Sequence, residues 1–184
     1  MNRKMATLAG AMLSLSVLMT ACTKDHDHDH DDHDHNEEEL ITKVTLNVYR
    51  GANVTQYKWD DPDGVGGNKA VIDTIKLLPN TTYDSVKIQF SNPEEDKTPE
   101  IREEANDHEV FYENIAPLDI LFSEYDTDTK GYKLGLKAKW ETKDAKSGKV
   151  KITLIHKPGI KGLNDPAVGI GETDIEVEFP VIVE

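Results

Sequence analysis

From Leu40 onward apolar residues fall at every second position, a period of two that calls for sheets rather than helices. Val44, Leu46 and Val48 alternate with Thr45, Asn47 and Tyr49, the pattern of a strand with one face buried and one face wet. The alternation returns at Thr55-Tyr57-Trp59, Ile75-Leu77, Val86-Ile88-Phe90, Leu134-Leu136-Ala138-Trp140, Val150-Ile152-Leu154 and Ile175-Val177-Phe179-Val181-Val183. Clusters of Gly, Pro, Asn and Asp separate these runs. About eight or nine short strands are therefore expected, arranged as an all-β, antiparallel β-sandwich of immunoglobulin-like type. Residues 40–184 suffice for one β-sandwich domain whose core needs no disulfide.

One segment departs from the alternation. Thr98-Pro99-Glu100 has the form of a helix start, with Thr98 as N-cap, Pro99 at the first helical position and Glu100 favourable to the helix dipole. A single short helix running to about His108 is expected there.

Before Leu40 the composition changes completely. Residues 2–4 are Asn-Arg-Lys, Met5 to Met19 is apolar, and Thr20-Ala21 leads into Cys22, so residues 1–21 read as a secretory signal peptide. The apolar run is too short and too poorly flanked for a spanning helix. Leu18-Met19-Thr20-Ala21-Cys22 resembles a bacterial lipobox, which makes Cys22 a lipidation site and the anchor to a membrane. Cys22 is the only cysteine, so its acylation leaves no thiol for disulfides or a thiolate metal site. Residues 22–39 are the lipidated arm that follows. No aliphatic or aromatic residue occurs in 23–39, so this stretch cannot offset the entropy of ordering and is expected to be disordered.

The arm holds His26, His28, His30, His33 and His35, five of the seven histidines, interleaved with aspartate. Neutral imidazole suits zinc, copper and nickel, and the aspartates add oxygen ligands and a field that concentrates divalent cations. A flexible chain loses entropy on wrapping an ion, so the arm is expected to act as a sponge of modest affinity. As a plain spacer it would need no histidine. The formal net charge of −14 repels nucleic acid and anionic lipid and attracts cations.

His108 and His156 lie in the domain. Glu104 precedes His108 by four residues, one face of the expected helix, a spacing that can bring a carboxylate and an imidazole to one ion. His156 continues the inward phase of Val150-Ile152-Leu154 and should point toward the core rim, with Glu172 and Asp174 as possible partners. His108, His156, Glu104 and one of those two acids make a chemically sensible zinc site if the fold brings them together. A lone inward histidine, by contrast, is an ordinary structural residue.

Two acidic turns, Asp60 to Gly67 and Asp126 to Gly131, invite a calcium reading. The second has lysine at its fifth position and lacks a closing glutamate, which favours a hairpin turn. A turn without an ion is also the simpler reading of the first. Tyr57, Trp59, Phe122, Tyr132 and Trp140 could form a stacking platform for sugar, although aromatics at strand spacing usually pack in a core. There is no phosphate loop, nucleophile cysteine or nucleophile-elbow motif, so no enzyme is expected.

Several blocks, Asn36-Glu37-Glu38-Glu39-Leu40-Ile41-Thr42-Lys43-Val44, DPDGVGGNKAVID, LLPNTTYDSVKI, EEANDHEVFY, LIHKPG and GIGETDIEVEFPV, together resemble a family of small Bacteroidota surface lipoproteins with a His/Asp-rich arm. Lys24-Asp25 and the acids behind them are similar to the export signal of such proteins. The resemblance implies placement on the outer face of the outer membrane, association with a TonB-dependent outer-membrane receptor, and uptake of a scarce nutrient such as a transition metal or haem. The expected function is capture of a divalent metal, zinc above others, for delivery to that receptor. The alternative is a surface module for glycan, haem or protein, with the arm as spacer.

Overall fold

The computed structural model describes residues 40–64, 66–162 and 170–184. Ten strands form two sheets packed face to face, a β-sandwich with one short helix. Six strands make the larger sheet in the order β3-β2-β1-β5-β8-β7, comprising β1 (Lys43–Arg50), β2 (Asn53–Asp60), β3 (Val71–Ile72), β5 (Thr82–Ser91), β7 (Ile120–Ser123) and β8 (Lys137–Thr142). The smaller sheet runs β4-β10-β9-β6, from β4 (Ile75–Leu77), β6 (His108–Ile115), β9 (Ser147–His156) and β10 (Glu172–Val183). Three strands, β5, β8 and β7, correspond to B, E and D of an immunoglobulin domain, while β6, β9 and β10 correspond to C, F and G. A parallel pairing of β4 with β10 closes one edge, and the β1–β2 hairpin widens the larger sheet.

Alternation places the expected side chains in the core. Val44, Leu46, Phe90, Ala138, Trp140, Val150, Leu154 and Phe179 are wholly enclosed. Trp140 meets Tyr112 and Phe122 edge-on, with centroids at 5.8 and 5.2 Å. Burying each large apolar side chain contributes about 1.5–3 kcal/mol. The β1–β2 hairpin turns through two residues, and the positive φ its first position requires is supplied by Gly51 at 57°.

Three expectations need correction. Strands β6 and β7 occupy sequence without clean alternation, and β6 is buried on both faces at His108–Tyr112. The helix, α1 (Thr98–Glu103), ends five residues earlier than expected, because Ala105-Asn106-Asp107 turns and His108 already belongs to β6. Its N-cap is Lys97, and the Thr98 hydroxyl is engaged with the backbone of Phe90 instead of capping the helix.

Candidate metal centre at the rim of the smaller sheet

Strand register brings the two domain histidines together. His108 on β6 stands directly opposite His156 on β9, and His156 stands opposite Glu172 at the start of β10. The imidazoles stack at 4.7 Å between centroids and 22° between planes. Gly171 makes this row possible. At φ 111° it takes a conformation that favours glycine, and a Cβ there would collide with the His156 carbonyl oxygen.

Asp174 joins the row through a bulge. Thr173 pairs with Ile155 and Ile175 with Leu154, so Asp174 is the extra residue of β10, and a bulge of this kind re-aims a side chain. Its carboxylate is almost fully enclosed and lies 3.9 Å from His108 Nε2. On the other side of the ring, His108 Nδ1 is 3.2 Å from the Glu104 carbonyl oxygen and 3.9 Å from Glu104 Oε2. Nδ1 carrying the proton satisfies the carbonyl and leaves Nε2 with a lone pair toward Asp174. The turn after α1 thus keeps Glu104 beside His108, although the two do not share a helix face.

Backbone contacts fasten this corner. The amide of Lys157 donates to the Asp107 carbonyl, Gly159 donates to the Asp107 carboxylate, and Lys161 Nζ donates to the Ala105 carbonyl. Burial is the main force that lowers the His108 pKa below its usual 6.5, with His156 and Lys161 adding to it and the Glu104 carbonyl and Asp107 opposing it. The ring is therefore held in the neutral form that ligates metals.

Distances fall short of a formed site. Zinc bonds of about 2.0–2.1 Å place a nitrogen and an oxygen of one tetrahedral ion about 3.3 Å apart, against 3.9 Å here. Stacked rings also hold their nitrogen lone pairs in nearly parallel planes, an arrangement that does not aim both at one ion. Among the described residues no group of three or more His, Cys, Asp or Glu side chains is set to hold a metal. The rim gathers His108, His156, Glu104, Glu172 and Asp174 in one neighbourhood without the geometry of a rigid cage. Cys22, His26, His28, His30, His33 and His35 lie outside the described residues.

Several polar groups nearby could not be singled out from the chain. Glu109 is buried and binds Lys157 and Lys133, both at 2.9 Å, while these two ammonium groups lie over the Phe111 ring at 4.5 and 4.1 Å. Lys157 follows His156 in sequence but points to the opposite face of the sheet, so its charge is spent on Glu109. Asp128 Oδ1 accepts from the amides of Lys130 and Tyr132, and its other oxygen pairs with Lys161 at 3.0 Å. The turn at Asp126 to Gly131 is thus a hairpin bend with its central carboxylate already engaged. In the other acidic turn, Asp63 accepts from both the backbone and side-chain nitrogens of Asn68. The five aromatics form no sugar platform, since Trp140 is enclosed, Tyr57, Trp59 and Phe122 pack against the core, and only Tyr132 is well exposed.

No family model, no curated protein and no solved structure matches this chain.

Proposed function

We propose that this protein is an outer-membrane lipoprotein, anchored through Cys22 and exposed at the cell surface, that captures a divalent transition metal, zinc above others, and passes it to an outer-membrane receptor. The arm supplies capacity through His26, His28, His30, His33 and His35. The rim supplies a fixed point, with His108 and His156 as nitrogen donors and Asp174, Glu104 and Glu172 as carboxylates. The reading is supported above all by the register that sets the domain's two histidines face to face beside Asp174. Closing His108 Nε2 and Asp174 onto one ion needs a shift of roughly half an ångström and a tilt of one ring. Such a site binds less tightly than a preorganised one, which suits a protein that must release its cargo.

Zinc titration calorimetry on the full chain in detergent, with copper and nickel as competitors, tests this. Replacing the five arm histidines by asparagine should remove most of the bound zinc. Combining His108→Asn with His156→Asn should remove a smaller, separate component while leaving the arm's. Both components should weaken as pH falls and protons compete for imidazole, and His108, its pKa lowered by burial, should hold its share to lower pH than an unperturbed histidine of about 6.5 does. A titration unchanged by both sets of substitutions would sink the metal reading.

A further inference from the structure

The outer face of the larger sheet carries a groove of about 590 Å³ that the metal reading does not use. Asn47, Lys87 and Lys137 on its floor belong to a cross-strand row that continues past the groove to Gln56. Gln56 on β2 stands opposite Asn47 on β1, Asn47 opposite Lys87 on β5, and Lys87 opposite Lys137 on β8. At 4.7–4.9 Å per strand, this row spans about 14 Å. Tyr49 and Gln89 flank it within the sheet, and Arg102 of α1, paired with Asp126 at 3.2 Å, forms a wall.

Two features of the floor are out of place in a surface built for stability alone. Like charges directly opposite one another on neighbouring strands are destabilising, yet Lys87 and Lys137 occupy such a pair in a chain with 35 acidic and 21 basic residues. Among the described residues no carboxylate lies within ion-pair distance of either ammonium, whereas Lys139, two residues further along β8, is gripped by Glu124 and Glu141 at 2.9 and 3.1 Å. Local rules are broken in this way where a site is built for something else. Lys87 is steered over the floor by the Tyr49 ring, with its Nζ 5.3 Å from the centroid.

The second feature is a polarised amide chain. Gln56 Nε2 donates to Asn47 Oδ1 at 2.9 Å, and Asn47 Nδ2 donates to Gln89 Oε1 at 3.1 Å. Each internal donor and acceptor is engaged, which leaves the Gln89 amide nitrogen offered at the lysine end and the Gln56 carbonyl offered at the other. The lysine end of the row therefore presents donors and positive charge, with the Asp126 carboxylate there already taken by Arg102 and the Lys137 amide, and the β2 end presents an acceptor. A ligand matching both ends carries an anionic group and hydroxyls on one extended chain.

We infer that this groove binds an acidic oligosaccharide, with a carboxylate or sulfate of the sugar between Lys87 and Lys137 and ring hydroxyls on the Gln89-Asn47-Gln56 chain. The site is independent of the histidine rim and holds whether or not the protein binds metal.

Calorimetry on the full chain tests it with four probes: an oligogalacturonate, a sulfated heparin oligosaccharide, neutral maltohexaose and inorganic sulfate. At least one acidic oligomer should bind, maltohexaose should not, and Lys87→Gln or Lys137→Gln should each weaken the acidic oligomer about tenfold, the effect of removing one charge-assisted hydrogen bond. Gln89→Ala should weaken it as well, with a thermal midpoint near that of the parent. Binding of maltohexaose as tight as that of the acidic oligomers would overturn the inference, as would lysine variants that bind like the parent. Inorganic sulfate competing as well per anion as the oligomer would reduce the groove to a simple anion site and overturn the sugar.

Discussion

The two sheets turn similar faces inward and dissimilar faces outward. On the smaller sheet the outward charges neutralise each other across strands: Lys151 binds Glu113 at 3.1 Å and Glu176 at 3.4 Å, and Lys149 binds Glu178 at 2.7 Å. The hydrogen bond that Lys151 donates to Glu113, helped by both glutamate charges, holds Lys151 protonated beyond its ordinary range. On the larger sheet Lys139 is gripped in the same way by Glu124 and Glu141, and its pKa is pushed up to about 12. Lys87 and Lys137 face each other beside it without a carboxylate at ion-pair distance among the described residues. A face whose polar groups answer one another has little left to offer a ligand. The face that leaves donors and charges open is where a partner gains most, because its groups pay no penalty of breaking internal bonds.

The inner faces should respond alike, and this is the largest effect. Phe90 from the larger sheet and Phe179 from the smaller are both wholly buried, so Phe90→Ala and Phe179→Ala should each lose about 3–5 kcal/mol in urea unfolding. A loss below about 1 kcal/mol in one of them would mean that the corresponding sheet contributes little to the shared core. Next comes the buried pair between Glu109 on β6 and Lys157 just after β9. Lys157→Met should destabilise by about 2–4 kcal/mol, because it strips one cation from an enclosed Glu109 that still keeps Lys133. Substituting both Lys157 and Glu109 by apolar residues should recover part of that loss. If it does not, the pair is more than a compensated charge.

Which of these features the chain discloses depends on how local they are. Inward positions such as Val44, Phe90, Trp140 and Phe179 follow from alternation over four or five residues, and the sandwich follows from their number and spacing. Strand β6 escapes the pattern because Lys133 and Lys157 cover the side that would otherwise be wet, so Glu109 and Phe111 are buried next to Val110 and Tyr112. The end of α1 is hidden because acidic residues at helical spacing look alike whether the chain winds or turns, and Asn106-Asp107 favours the turn. His156 disclosed its inward direction through strand phase. Its partner did not, since opposition to His108 is set by the β6–β9 register between residues 48 apart, and the Asp174 bulge that completes the row is likewise a matter of pairing. The Lys87–Lys137 pair is hidden for the same reason: each lysine alone is an ordinary outward residue.

The smallest effects separate the two outer faces most sharply. Lys151→Met removes a paired charge from a partly exposed ladder and should destabilise by at most about 1 kcal/mol. Lys137→Gln should move stability the other way, raising it by a few tenths of a kcal/mol, since it relieves a like-charge pair. Salt distinguishes the two cases without any ligand. Between about 0.01 and about 1 M salt the screening length falls from about 30 to about 3 Å, which weakens attraction and repulsion alike. The gap between parent and Lys151→Met should therefore shrink because the parent loses its ladder, and the gap between parent and Lys137→Gln should shrink because the parent is relieved of its repulsion. Should Lys137→Gln prove less stable than the parent at low salt, Lys137 is held by an attraction within the chain, and the larger sheet's outer face is as self-satisfied as the smaller one's.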